Sequence, residues 1–247
     1  MLDMLVKSID IHSHYNHGAK FDTKVSPVYS AELGFLKEER LKLNVQKMAC
    51  CSFASCLTDA DIFNENLHCE SVCEQDEFLY QWVVIDPRKP ETVKQAERLL
   101  KNPKVLGIKI HSVCHGYSFL DYADEVFAFA SQHKTVVLMH PDEPIKTALI
   151  AGKYKDTKLI IAHLGSVEHV DALMSANNVY ADTSGNASSQ NNVIEYAVNK
   201  VGADRILFGT DTYSCAFQKG RILLADISDE DKRKILYENA ERLFKLK

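Results

Sequence analysis

The chain has 247 residues, of which 46% are hydrophobic and 26% are charged, and its formal net charge is −5. This length and composition suit one domain with a sizeable core. The acidic balance and the lack of clustered Lys and Arg argue against a nucleic-acid partner. No apolar run approaches the roughly 18 residues of a membrane-spanning helix, and the opening MLDMLVKSIDIHSH lacks the plan of a signal peptide.

Short β-branched runs alternate with longer segments of helical periodicity. The runs predict eight strands, at Ser8–Ile11, Val45–Phe53, Trp82–Ile85, Val105–Ile110, Thr135–Met139, Leu159–Ala162, Val179–Ala181 and Arg205–Phe208. The helical patterns predict eight helices, near residues 31–43, 60–77, 90–101, 121–133, 144–153, 167–177, 189–201 and 228–245. This alternation predicts a single-domain α/β fold over residues 1–247, a (β/α)8 TIM barrel, although periodicity alone also allows an open, doubly wound sheet.

Side chains that can bind a metal or move a proton follow several of these strands. His12 and His14 come as the first strand ends, and their imidazoles point the same way because side chains alternate along a strand. His140, His163 and Asp211 follow the fifth, sixth and eighth strands. In a barrel these strand ends meet at one face, so we predict one pocket, whereas an open sheet would separate some of them. Paired imidazoles with added ligands predict a divalent metal site.

Each of these residues also has a purely structural interpretation. His12 and His14 could be polar residues at a barrel mouth, and His140 before a proline could mark a turn. Asp211 could cap a turn, and His163 alone would be typical of a hydrogen-bonded core histidine. Their joint occurrence at strand ends favours the metal site.

Seven motifs carry a family resemblance that covers nearly the whole chain. They are the segments DIHSH (10–14), GIKIH (107–111), HP (140–141), AHLG (162–165), VYADTS (179–184), RILFGTD (205–211) and ENAERLF (238–244). In this order they resemble the amidohydrolase superfamily, in its amidohydrolase-related branch of small metal-dependent hydrolases and decarboxylases. The resemblance implies a distorted (β/α)8 barrel that holds a divalent ion, often zinc.

Carried over position by position, the resemblance implies His12, His14, His140 and Asp211 as metal ligands. It implies His163 as a catalytic base or as a ligand of a second ion. Such a ligand set leaves zinc cationic enough to lower the pKa of bound water to about 7. Asp211 could accept the proton of that water, so Asp211 and His163 are the predicted catalytic residues. We expect one divalent ion, Zn²⁺ first, with Mn²⁺ or Fe²⁺ as alternatives.

Three further side chains are predicted to bind substrate. Lys109 and His111 share one face of the fourth strand, and Asp182 comes at the end of the seventh. In binuclear relatives a fourth-strand lysine can be carboxylated to bridge two metals. For Lys109 we favour an unmodified cation that pairs with pocket carboxylates or binds an acidic substrate. Asp182 could equally cap the turn that follows it.

Two enzymatic functions fit these residues, and a barrel that has lost catalysis is a third reading. We favour a metal-dependent hydrolase that cleaves a C–N or C–O bond (amide, lactone or ester) of a small molecule, because the ligand set can activate water. The alternative is a non-oxidative decarboxylase of an aromatic or unsaturated carboxylic acid, which needs cations and a dry pocket. Lys109, with Lys20 or Lys24 added, does not decide between them.

The expected partner is a small-molecule substrate, with neither nucleic acid nor membrane, and a homo-oligomer is left open. The seven cysteines are odd in number and unevenly spaced, which is typical of reduced thiols and predicts a cytoplasmic location. Cys69 and Cys73, beside His68, could be drawn as a zinc site. Their i, i+4 spacing favours instead the core-facing side of a helix.

Overall fold

Eight parallel strands form one sheet whose spatial order follows the sequence. The computed structural model describes residues 2–17, 30–57 and 59–246. Its strands are β1 Ser8–Tyr15, β2 Val45–Ser52, β3 Leu79–Val84, β4 Val105–Ile110, β5 Val136–Met139, β6 Lys158–Ile161, β7 Val179–Asp182 and β8 Ile206–Leu207. All eight predicted strands are present, and β1 runs on to Tyr15 instead of ending at Ile11.

Helices alternate with the strands over the described part of the chain. They are α1 Leu33–Lys42, α2 Ile62–Glu74, α3 Pro90–Leu99, α4 Ser112–His115, α5 Ala123–Gln132, α6 Pro144–Ala151, α7 Val167–Ser175, α8 Val193–Val201, α9 Cys215–Leu223, α10 Asp229–Arg233 and α11 Asn239–Phe244. Single 3₁₀ turns form at Ala54–Cys56 and Phe119–Asp121, and a π-helical turn, Lys234–Glu238, joins α10 to α11. None of these helices is long and apolar enough to cross a lipid bilayer.

Three helical regions differ from the prediction. Helix α4 is a single turn, too short to show a helical period, and helix α9 contains Gly220, whose helix propensity is low; neither was predicted. The single helix predicted over residues 228–245 is interrupted by the π-helical turn. All three differences lie outside the sheet, so the barrel arrangement is unaffected.

The chain after β8 returns to β1 and nearly closes the barrel. The Phe208 carbonyl accepts a hydrogen bond from the Ile11 N–H at 3.0 Å. The His12 carbonyl accepts from the N–H groups of Thr210 and Asp211 at 3.1 and 2.7 Å. The predicted (β/α)8 fold is therefore confirmed, and all eight carboxyl strand ends face the same side.

Alternating side chains divide the core into two layers. Leu138 and Ile160 pack inside the barrel, whereas Val137 and Ile161 pack under the helices. His140 comes two residues after Leu138 on the same face of the chain. The inner core is therefore continued by polar side chains at the carboxyl end of the strands.

Strand β1 contains one extra residue that changes which side chains point inward. Asp10 pairs with Met48 and Ser13 pairs with Cys50, so two β1 residues lie opposite a single β2 residue. Such an insertion is a β-bulge. Because of it, Ile11 joins the inner core and the adjacent His12 also reaches interior groups.

Candidate active site

The structure brings the five strand-end residues together at the carboxyl end of the barrel. Two overlapping groups share His12, one with His14 and Asp211 and the other with His140 and His163. Within each group the potential ligand atoms lie within 4.8 Å of one another. The rings of His140 and His163 are 4.3 Å apart between centroids, and those of His12 and His163 are 5.0 Å apart.

His12 lies at the centre of this arrangement and is buried. Its Nδ1 is 2.9 Å from Oδ2 of Asp182 and 2.9 Å from the Ser184 hydroxyl. Since the carboxylate can only accept, Nδ1 carries the ring hydrogen and donates it to Asp182. Nε2 then accepts from the Lys109 ammonium at 2.5 Å. The lone pair on Nε2 is the one that His12 can offer to a metal ion.

Asp182 and Lys109 flank His12 and are both fully buried. Asp182 also accepts hydrogen bonds from the Ser184 backbone N–H, at 2.8 Å, and from the Ser184 hydroxyl. The bond from the Ser184 N–H is the turn cap that was the alternative to substrate contact, and Asp182 also holds the His12 ring. Contact of Asp182 with substrate stays a prediction. No carboxylate among the described residues pairs with the Lys109 ammonium.

The third predicted substrate residue, His111, extends the histidine cluster. Its ring centroid is 4.4 Å from that of His140 and 5.9 Å from that of His14. Burial lowers the pKa of His12, His111 and His140 well below the usual value for histidine, and the Lys109 ammonium lowers each further. These imidazoles are therefore neutral, which is the form that binds metals.

Two nitrogens of the cluster lack a partner within the described part of the chain. They are Nε2 of His140 and Nδ1 of His111, and both are buried. A buried polar atom is nearly always hydrogen-bonded, so an unpaired one needs an explanation such as an ion or a ligand. Together with the neutral imidazoles and the Asp211 carboxylate, the unpaired His140 nitrogen fits a divalent ion.

Both predicted catalytic residues have a strained backbone. His163 and Asp211 both have φ of 59°, a left-handed conformation that is uncommon outside glycine. The His163 Nδ1 donates to the Ser184 carbonyl at 2.9 Å, which leaves Nε2 for chemistry. Gly185 lies against this ring, and a Cβ there would be 2.6 Å from Nδ1. The glycine therefore permits the close approach.

A buried ion pair beneath the site ties β1 to the chain after β8. Asp10 accepts from Arg40 Nε at 2.9 Å, from the Thr210 hydroxyl at 2.6 Å and from the Thr210 N–H at 3.1 Å. Arg40, on α1, also donates to Ser13 Oγ at 3.3 Å. This network was not predicted from the sequence. The only signal was the position of Asp10 and Thr210 beside the predicted ligands, and nothing local pointed to Arg40.

Comparison with known proteins adds a family and a set of similar folds. A sequence model of the family described as amidohydrolase matches residues 54–246. This match covers His140, His163 and Asp211 and begins after His12 and His14. A search of curated proteins finds no significant match to the sequence.

Three solved structures illustrate the structural similarity. The 2,6-dihydroxybenzoate decarboxylase from Rhizobium is 14% identical, with a TM-score of 0.75 over 97% of this chain and 98% of its own. A dihydroxybenzoic acid decarboxylase from Polaromonas sp., with bound manganese and 2-nitroresorcinol, is 18% identical, with a TM-score of 0.71 over 97% of each chain. An amidohydrolase from Burkholderia multivorans, with bound zinc, is 14% identical, with a TM-score of 0.74 over 98% of this chain and 100% of its own.

Proposed function

We propose that this chain, which belongs to the amidohydrolase family, is a metal-dependent decarboxylase of a small aromatic or unsaturated carboxylic acid. The observation that carries the proposal is Lys109, a fully buried cation in the pocket without a carboxylate partner among the described residues. Buried charges are usually paired, and a substrate carboxylate would supply the missing anion. The decarboxylases with similar folds act on acids of this kind.

The burial of the pocket floor supports the same function. His12, His14 and Lys109 are each at most 2% exposed. Exclusion of water strengthens the attraction between the Lys109 ammonium and a substrate carboxylate. It also favours conversion of the charged carboxylate into neutral CO₂. Hydrolysis was the function favoured from the sequence, whereas a buried cation on a pocket floor that excludes water favours decarboxylation. Lys20 and Lys24, the other cations considered there, lie outside the described residues.

The residues that we propose to hold the ion are His12, His14, His140 and Asp211. A divalent ion bound by them would act as a Lewis acid toward oxygen atoms of the substrate. We propose one ion per chain, zinc from the nitrogen-rich ligand set, with manganese as the alternative found in a similar structure. An ion on the Nε2 lone pair of His12 would displace the hydrogen bond from Lys109. In this proposal Lys109 stays an unmodified ammonium, which is then free to bind the substrate carboxylate.

The reaction exchanges a carbon–carboxylate bond for a carbon–hydrogen bond. The electron pair of the broken bond stays on the substrate carbon, which takes up one proton as CO₂ departs. Asp211, whose side chain is 14% exposed, and the half-buried His163 are the groups that we propose to carry this proton. Lys109 holds the carboxylate before it leaves. Asp182 keeps the His12 ring in its orientation.

A metal-dependent hydrolase of a C–N or C–O bond is the second candidate. It is favoured by the group of two imidazoles and one carboxylate, His12, His14 and Asp211, which suits activation of water, with Asp211 available to accept the proton. The similar amidohydrolase with bound zinc fits this candidate. The cytoplasmic location predicted from the cysteines also remains a proposal, and none of the seven forms a disulfide.

One assay separates the two candidates. Protein loaded with zinc or manganese is incubated with hydroxylated benzoates, including 2,6-dihydroxybenzoate, and in parallel with a panel of amides, lactones and esters. We expect CO₂ release from at least one acid, and its loss when a chelator removes the ion. Hydrolysis without CO₂ release from any acid would replace the decarboxylase with the hydrolase.

A further inference from the structure

The two ring nitrogens of His14 lie beside different kinds of side chain. Nε2 lies 3.7 Å from Oδ1 of Asp211, on the side of the proposed metal ligands. Nδ1 lies 3.3 Å from the sulfur of Cys51 and 3.9 Å from that of Cys56. Within the described residues these two sulfurs are its only hydrogen-bond partners. The ring is 2% exposed, so water has little access to Nδ1.

The fold places these sulfurs behind His14 by two local features. Cys51 pairs directly with His14 in the β1–β2 register, and its side chain packs with the inner core. Cys56 ends the 3₁₀ turn that follows β2, and its sulfur is 4.0 Å from that of Cys51. The Ser55 hydroxyl donates to the Ser52 carbonyl at 2.6 Å and holds the turn in place. The thiol pair is therefore fixed by backbone structure.

His12 and His14 thus each have Nε2 on the side of the proposed metal and Nδ1 beside a hydrogen-bond partner, but the two partners differ. The Nδ1 of His12 meets a carboxylate oxygen of Asp182 at 2.9 Å, whereas that of His14 meets a thiol sulfur. A histidine that binds a metal almost always donates its other ring N–H to an acceptor, which fixes the tautomer and the orientation of the ring. For His14 the described structure offers sulfur as that acceptor.

We propose that Cys51 is a positioning residue, which accepts the Nδ1 hydrogen of His14 and so aims the Nε2 lone pair at the metal. The Cys56 sulfur lies next to both groups, 4.0 Å from the Cys51 sulfur and 3.9 Å from Nδ1 of His14. This inference rests on the metal site of the proposed function and adds a residue that no motif of the sequence marked. A buried cysteine can also act as a small apolar side chain, so the test must separate hydrogen bonding from packing.

The test compares three variants of adjacent cysteines. Cys51→Ala removes the acceptor, Cys51→Ser replaces it with a hydroxyl, and Cys50→Ala removes the same atoms from the neighbouring residue. Cys50 is equally buried but packs in the outer core near the sulfurs of Cys69 and Cys73. The dissociation constant for zinc is measured by competition with a chelator, and thermal unfolding of the metal-free protein is measured alongside it.

We expect Cys51→Ala to weaken zinc binding by about 10- to 100-fold, the usual effect of losing such a partner. Cys51→Ser should keep most of the affinity, and Cys50→Ala should lower thermal stability without changing the zinc constant. Unchanged affinity in Cys51→Ala, or equal losses in Cys51→Ala and Cys50→Ala, would overturn the positioning role. The comparison depends on zinc affinity alone. Its result therefore holds even if the proposed decarboxylase activity is not found.

A second measurement needs no destabilised variant. In zinc-loaded protein labelled with ¹⁵N-histidine, NMR should show His14 with its hydrogen on Nδ1, in the wild type and in Cys51→Ser. A hydrogen on Nε2 would overturn the proposal. So would a second equivalent of zinc that is lost in both Cys51→Ala and Cys56→Ala, because the sulfurs would then be ligands themselves.

Discussion

The two ends of the barrel interior are built from opposite kinds of side chain. At the carboxyl end His12 and Lys109 are buried among other polar groups. Toward the amino end Trp82 fills the interior, and its ring meets Phe244 of α11 at 5.8 Å. Apolar burial stabilises a fold, whereas burying a polar or charged group costs free energy unless that group is paired. The comparison indicates that one end supplies the stability on which the other end depends.

The largest effect should come from removing the paired imidazoles at the carboxyl end. In His12→Ala plus His14→Ala we expect loss of the bound ion and of all metal-dependent activity, with the fold retained, because apolar packing at the other end is untouched. Elemental analysis and circular dichroism of both proteins check this. Equal metal content in the folded wild type and variant would show that the ion binds elsewhere and that the carboxyl end is not the metal site.

His163→Asn should separate catalysis from metal binding. We expect kcat to fall by roughly 10²-fold or more, the usual contribution of a positioned acid or base, while most of the ion is kept. His133→Asn, a histidine beyond the amino end of β5, is the matched control and should leave kcat unchanged. If metal is lost in parallel with activity, His163 is a ligand.

Lys109→Arg should have a smaller effect that concerns the substrate. Arginine keeps the charge but not the shape of lysine, so we expect the ion to stay and KM for the acid to rise by about tenfold. Lys219→Arg is a control at another fully buried lysine, which donates to backbone carbonyls and not to the site.

A high-resolution map tests the state of Lys109 independently of kinetics. We expect an unmodified amine beside a single ion. Continuous density from the Lys109 nitrogen to two ions about 3.5–4 Å apart, the spacing of two-metal sites, would contradict this prediction.

At the amino end, Trp82→Phe should leave the chemistry unchanged. The indole N–H donates to the Ile11 carbonyl at 2.7 Å in a fully buried setting. Its loss should lower the free energy of unfolding by about 1–3 kcal/mol, the usual effect of an unsatisfied buried group. Denaturant unfolding measures the change, and kcat measured on the same sample is the control. A large fall in kcat at full metal content would show that the two ends are not separable.

The sequence predicted those parts of the site that depend on local periodicity. Strand alternation placed His12 and His14 on one face, and His140, His163 and Asp211 followed strands that could be recognised from β-branched runs. The barrel then explains why they meet. The contact of Asp182 with His12 could not be foreseen, because it depends on how β7 and β1 approach across the barrel.

Other features were invisible for the same physical reason. The Arg40–Asp10 pair and the sulfur behind His14 join residues that are about 30 or more positions apart, and no short-range spacing encodes them. The bulge in β1 is a mismatch between two strands, so neither strand shows it alone. Helix α9 contains a glycine, whose low helix propensity argues against a helix when the sequence is considered alone.

The hydrogen bonds that close the barrel also set an order of events during synthesis. The carbonyl of His12 is satisfied by the N–H groups of Thr210 and Asp211, and Asp211 is itself a proposed ligand. During translation, His12 and His14 are therefore synthesised nearly two hundred residues before Thr210 and Asp211. Contacts so distant in sequence form late in folding. The metal centre should accordingly assemble only after translation has passed β8.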